Sequence, residues 1–156
     1  MKTITHRKVV GVAAATALAL TLAGCSFLGG APRDDSGKLT AAASLSLSAL
    51  KVGDCIADVN ALGETVTRVA AVPCTTTHNG EVFGVTNQGA TYLRSVAEAF
   101  CVDEFAKYVG VDHSASVLDV LYYSPKDASS TDKTVTCMAY HKDGSTDVAS
   151  IKGSKK

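Results

Sequence analysis

Five cysteines, at positions 25, 55, 74, 101 and 137, set the first constraint on how this chain can fold. No two of them form a C-x-x-C pair. A zinc site favours two close cysteine pairs or a Cys/His cluster, and the nearest approach to that is Cys74 with His78. A thiol oxidoreductase needs C-x-x-C at a helix start, whereas Cys101 falls in the middle of a helical pattern. Neither a metal nor another cofactor is expected. The spacing suits a disulfide framework, provided the chain leaves the reducing cytoplasm. A framework matters because Trp is absent and aromatics are 6% of the chain, so a core must rest on Val, Ala and Leu.

The front end supplies the export. Lys2, Arg7 and Lys8 precede Val9 to Leu22, a stretch of apolar or small residues without a charge. A positive start and a short apolar run make the secretory pattern, and the run falls short of the roughly 20 residues a membrane-spanning helix needs. It ends in Leu22-Ala23-Gly24-Cys25, which resembles the lipobox of bacterial lipoproteins: a Leu, two small residues, then Cys. The resemblance implies that residues 1–24 are a signal peptide cut before Cys25. The Cys25 thiol then carries a diacylglyceryl thioether and the new amine a further acyl chain such as palmitate. Small side chains at Ala23 and Gly24 admit the bond to a peptidase cleft, and only a thiol makes the thioether. Each buried lipid methylene contributes about 0.8 kcal/mol, so two or three chains hold where one is marginal. The expected location is the extracytoplasmic face of the cell membrane, with the membrane itself as a partner through the lipid.

With Cys25 lipidated, four cysteines remain, an even count that reads as two disulfides. Four cysteines allow three pairings, and the sequence alone does not select one. The expected pairing is Cys55 with Cys74 and Cys101 with Cys137. The second bond would pin a helix face bearing Ala97 and Phe105 to a strand in which Cys137 alternates with Val135 and Ala139. Closing loops of about 20 and about 37 residues contributes about 3.3 and 3.8 kcal/mol in the chain-entropy model.

Removing Lys2, Arg7 and Lys8 with the signal leaves twelve basic against fifteen acidic residues, so the formal charge moves from zero to −3. That excludes a generic nucleic-acid binder, which needs clustered Lys and Arg. Residues 25–50 read as a lipid-anchored flexible tether: Gly29-Gly30, Pro32, Arg33-Asp34-Asp35, Ser36-Gly37 and a run of Ala and Ser offer nothing periodic to bury. Residues 51–153 read as one domain, and the tail from Lys152 to Lys156 as polar and frayed.

Within the domain, Glu64 to Val72 is rich in Val and Thr and stops at Pro73, which predicts a strand. Glu81 to Thr86 predicts another. Leu93, Val96, Ala97, Phe100, Cys101, Phe105, Tyr108 and Val109 then recur at three- and four-residue steps, which predicts an amphipathic helix stopped by Gly110. Val117 to Tyr123, stopped by Pro125, and Thr134 to Tyr140 predict further strands, and Asp147 to Ile151 a last one. Strands around one long helix give an α+β class: a small, mostly antiparallel sheet with the helix packed on it and two disulfides.

Candidate chemistry is sparse. His78, Glu81 and Asp54 are the polar residues to consider for a site, with His78 and Glu81 as an acid–base pair. The competing reading is structural, with His78 bonding backbone in its Gly-Asn loop and Glu81 pairing at a strand edge. No G-x-S-x-G elbow, P-loop or H-E-x-x-H occurs. No catalytic residue and no metal ligand is therefore assigned.

Val52-Gly53-Asp54-Cys55-Ile56, Val72-Pro73-Cys74 and His78-Asn79-Gly80-Glu81-Val82-Phe83 together resemble the opening of the septum formation domain of actinobacterial envelope proteins. Cys101, Phe105, Tyr108-Val109-Gly110, Pro125, Cys137 and Ser150-Ile151-Lys152-Gly153 continue that family's order, so the likeness spans about residues 51–153. The family often carries a Trp and a Gly-Asp turn after the loop Pro; this chain has Ser129-Ser130-Thr131-Asp132 instead. The resemblance implies a membrane-attached envelope domain linked to septum formation and names no catalytic residue. The functional expectation is a lipid-anchored, non-enzymatic binding or adaptor module that contacts an envelope protein or a wall polymer. The alternative is a small envelope hydrolase or transferase using His78 and Glu81.

Overall fold

Alternation along Thr134–His141 shows why this chain makes a sheet buried on both faces. Val135, Cys137 and Ala139 face one side and Thr136 and Met138 the other, and all five are buried. The structure, a computed structural model, describes residues 30–63, 66–89, 93–124 and 131–156. In chain order these form β1 (Ala43–Ser46), β2 (Cys55–Ile56), β3 (Arg68–Val72), β4 (Gly80–Asn87), α1 (Arg94–Val109), β5 (Leu118–Tyr123) and β6 (Thr134–His141). The strands make one six-stranded sheet in the order β1-β3-β2-β4-β6-β5, and every neighbouring pair is antiparallel. The fold is therefore α+β, with the long helix on one face of an antiparallel sheet.

The helix presents Ala97, Cys101, Phe105, Tyr108 and Val109 to the sheet, where they join Phe83, Leu118, Val135, Cys137, Ala139 and Ile151 in one core cluster. A bulge in β4 shapes that contact, for the register shifts between Val82 and Gly84. Two successive residues then face the helix. Phe83 meets Phe105 edge-to-face at 5.5 Å, and Gly84 lies so close to α1 that a Cβ there would sit 3.3 Å from Phe100 and 3.4 Å from Glu104. Gly110 ends the helix at φ 88°, donating its N–H to the Ala106 carbonyl.

The opposite face carries no α-helix among the described residues, only the short 3-10 turn Leu47–Ala49. Leu39, Leu45, Leu50, Val59 and Ile56 pack there against Val69, Ala71, Val82 and Met138. This corrects the expectation of a flexible tether through residue 50. Residues 43–46 form an edge strand, Ala43 to Ser46 against Ala71 to Arg68, and Arg33 and Leu39 form a bridge of their own. The expected strand from Glu64 begins at Arg68 instead, because its partner β1 is four residues long and ends at Ser46; Glu64 and Thr65 lie outside the described residues, as does Pro125.

The tail is also ordered. Gly153 and Lys155 donate N–H groups to the Tyr108 and Val109 carbonyls at 2.8 and 2.9 Å, supplying the partners that the last turn of α1 lacks. Asp147 to Ile151 is no strand: among the described residues its one ladder-type backbone pairing is the His78–Asp147 bridge. On the edge strand β5, Ser116 Oγ accepts the Leu118 amide and Asp119 Oδ1 the Val120 amide, which blunts that edge against further pairing.

Candidate functional site

Both disulfides form as expected. Cys55, opening β2, bonds Cys74 in the turn after β3, and Cys101 on the core face of α1 bonds Cys137 on β6. The first bond ties three neighbours together, because Cys55 pairs in register with Val72 on one side and Glu81 on the other.

The three polar candidates gather around this region, each buried: Asp54 is 2% exposed, His78 1% and Glu81 1%. Their partners are already in place. The Asp54 carboxylate takes both arms of the Arg33 guanidinium at 2.6 and 2.7 Å and the Lys51 amide at 2.9 Å. This fork-to-fork geometry is the strong form of the pair, and the bond to Asp54 raises the Arg33 pKa further. Glu81 accepts the Tyr108 hydroxyl at 2.5 Å and the Ser150 hydroxyl at 2.6 Å on Oε1, and the Ile151 amide at 2.8 Å on Oε2. Burial first, and then the Glu81 carboxylate on its hydroxyl, push the Tyr108 phenol well above the ordinary tyrosine range.

His78 stands beside them. Its Nδ1 lies 2.7 Å from the Thr76 carbonyl, which can only accept, so the proton is on Nδ1. Nε2 has no hydrogen-bond partner among the described residues, and the crevice beside it, lined by Glu81, Tyr140, His141, Asp147 and Ile151, has no room for a water molecule. The covering strap belongs to the C-terminal segment. The Asp147 backbone pairs with that of His78, and its side chain accepts His141 Nε2 at 2.7 Å and the Lys156 ammonium. Burial works to raise the Asp147 pKa, but the hydrogen bonds from Lys156 and His141 together outweigh it and hold it below the usual carboxylate value.

Acid–base chemistry by His78 and Glu81 on an outside molecule would thus require the strap of residues 147–151 to move first. Ser114 lies in the short turn His113–Ala115; Ser116, just after it, donates its hydroxyl to the Lys156 carbonyl at 2.6 Å. Among the described residues, one set of ligand atoms lies within 4.8 Å of one another, those of Cys55, Cys74 and Glu81. Its two sulfurs are bonded together, and a disulfide offers no thiolate to an ion. Sequence reasoning missed Arg33 and Tyr108 as the partners that make Asp54 and Glu81 structural; no local signal links them, since the pairs are 21 and 27 residues apart.

Comparison with known proteins adds no name to this geometry: no family model matches the chain, and no curated protein or solved structure matches it significantly.

Proposed function

We propose that the protein is a lipid-anchored, extracytoplasmic, non-enzymatic binding module of the cell envelope, with the septal setting its resemblance suggests. One observation carries the reading. Four of the five cysteines bond to one another, and the odd one, Cys25, is the residue that ends the lipobox-like Leu22-Ala23-Gly24-Cys25. Two disulfides suit an oxidising compartment, and no helix among the described residues is long and apolar enough to cross a membrane. A lipid on Cys25 would hold the domain on a short lead. Only the seven residues from Ser26 to Pro32 separate Cys25 from Arg33, a span of at most about 29 Å.

The non-enzymatic part of the reading is supported by the full hydrogen-bonding of Asp54 and Glu81 and by the cover over His78. The test is metabolic labelling with an alkyne fatty acid, followed by mass spectrometry of the N-terminal peptide. The expected result is an acylated peptide beginning at Cys25, absent in Cys25→Ser, which should leave the membrane fraction. An uncut, unacylated N-terminus would refute the anchor. In-cell crosslinking of the anchored protein, with Cys25→Ser as control, then tests the adaptor role by the partners lost from the soluble form.

A further inference from the structure

The two disulfides sit in different surroundings. Cys101 and Cys137 are 1% and 0% exposed between α1 and β6, so a reductant meets them only when the helix leaves the sheet. Cys74 is half-buried, in a turn closed by the Thr76 amide on the Pro73 carbonyl, and Thr75, Thr76 and Thr77 around it are exposed. Thiol–disulfide exchange depends on access to the sulfur attacked. The Cys55–Cys74 bond is therefore the one that opens while the fold stands. A dithiol opens it in two steps. One thiolate attacks Cys74 Sγ and expels Cys55 as a thiolate, which takes up a proton. The second thiol of the reductant then displaces Cys74, and the reductant leaves as its own disulfide.

A third donor stands beside the opened pair. Glu81 lies directly opposite Cys55 in the β2–β4 register, which puts both side chains on one face of the sheet. The Cys55 and Cys74 sulfurs and a Glu81 carboxylate oxygen all lie within 4.8 Å of one another. Glu81 Oε1 is committed to the Tyr108 and Ser150 hydroxyls. Among the described residues Oε2 accepts the Ile151 amide alone, which leaves it a second lone pair. Two thiolates with one carboxylate are a donor set that suits zinc, with water in the fourth position. The ion's two positive charges also offset the repulsion that two thiolates would meet beside a buried carboxylate.

We propose that the reduced Cys55–Cys74 pair binds one zinc ion together with Glu81. The covalent staple is then exchanged for a metal clip across the same three elements: β2, the turn after β3, and β4. Binding releases the two thiol protons. Zinc–sulfur bonds of about 2.3 Å in a tetrahedral site hold the sulfurs about 3.8 Å apart, a widening that falls on the half-buried turn at Cys74. The inference goes beyond the binding-module reading and depends neither on the anchor nor on the adaptor role.

The test uses the full protein as isolated, reduced with a phosphine; water supplies the oxygen of the phosphine oxide and the two thiol protons. Cadmium is the optical probe, through its thiolate charge-transfer band, and zinc the competitor. The expected result is one ion per chain, displaced by zinc, with Cys55 and Cys74 shielded from alkylation and Cys101–Cys137 still bonded by mass spectrometry. Cys74→Ser should abolish the band, and Glu81→Gln should weaken binding at least about tenfold. Cys101→Ala/Cys137→Ala should retain it. If Glu81→Gln fails to fold, Cys74→Ser with native circular dichroism still decides. No band at one equivalent of ion, a band that survives Cys74→Ser, or reduction that opens both disulfides together overturns the proposal. An unacylated Cys25 would refute the anchor and leave this result standing.

Discussion

Removing the Arg33 guanidinium should destabilise the domain strongly, although the sequence around it looks like linker. The bidentate bonds to Asp54 are 2.6 and 2.7 Å, and the side chains are 12% and 2% exposed. Deleting one member of a buried pair leaves the other charge unpaired and typically costs 3–5 kcal/mol. Asp54 keeps the Lys51 amide and the guanidinium is not wholly dry, so Arg33→Met belongs near the low end, about 3 kcal/mol. At roughly 4 °C per kcal/mol for a domain of this size, the melting temperature should fall by about 12 °C. Urea unfolding of the disulfide-intact protein measures the loss. A double-mutant cycle with Asp54→Asn separates the pair from general packing, with an expected coupling of more than 1 kcal/mol. A loss below about 1 kcal/mol, with no protection of the Leu39 and Leu45 amides from hydrogen exchange, would show that residues 30–50 are a tether after all.

Alkylation without prior reduction should label none of Cys55, Cys74, Cys101 and Cys137, and Cys101→Ala/Cys137→Ala, which opens a link of sequence separation 36, should cost about 3–4 kcal/mol by denaturation. Tyr108→Phe removes one of three donors to the buried Glu81 carboxylate and should cost about 1–3 kcal/mol in the same assay. The raised Tyr108 pKa stabilises the fold below pH about 10 and that contribution fades as pH climbs through the folded value, so the variant should flatten the alkaline limb of a stability–pH curve. Asp147 behaves in the opposite sense: its folded pKa lies below 3.8, so its contribution is present above that value and lost as pH falls through the lowered one. Asp147→Asn should therefore flatten the acid limb; an unchanged acid limb would refute the role given to Lys156 and His141.

The legible parts of the fold were those whose signal is local and periodic. The three- and four-residue steps from Leu93 to Val109 became α1, and the alternation of Val135, Cys137 and Ala139 became the helix-facing side of β6. The Cys101–Cys137 bond, one of the pairings the sequence left open, joins those two faces. The misread parts had weak signals. Ala43, Leu45 and Leu47 alternate with Ser44, Ser46 and Ser48, a period of two hidden in a run of small residues, and it became β1. The tail carries no pattern at all; it is held by its own backbone donors on helix carbonyls, bonds that any sequence can make. Of the candidate site, the sequence singled out His78, Glu81 and Asp54 as polar candidates but not their partners, which lie up to 70 residues away.

Those long separations also indicate what the polar residues do. Asp54 fastens the N-terminal segment through Arg33, and Glu81 fastens the end of α1 and the C-terminal strap together. His78 fastens the strap by its backbone. A small domain without Trp has little apolar area with which to fix the ends of its chain, and directional buried bonds fix them by geometry instead. A residue recruited as such a clamp is poorly placed to act on an outside molecule, because reaching it means undoing what it holds.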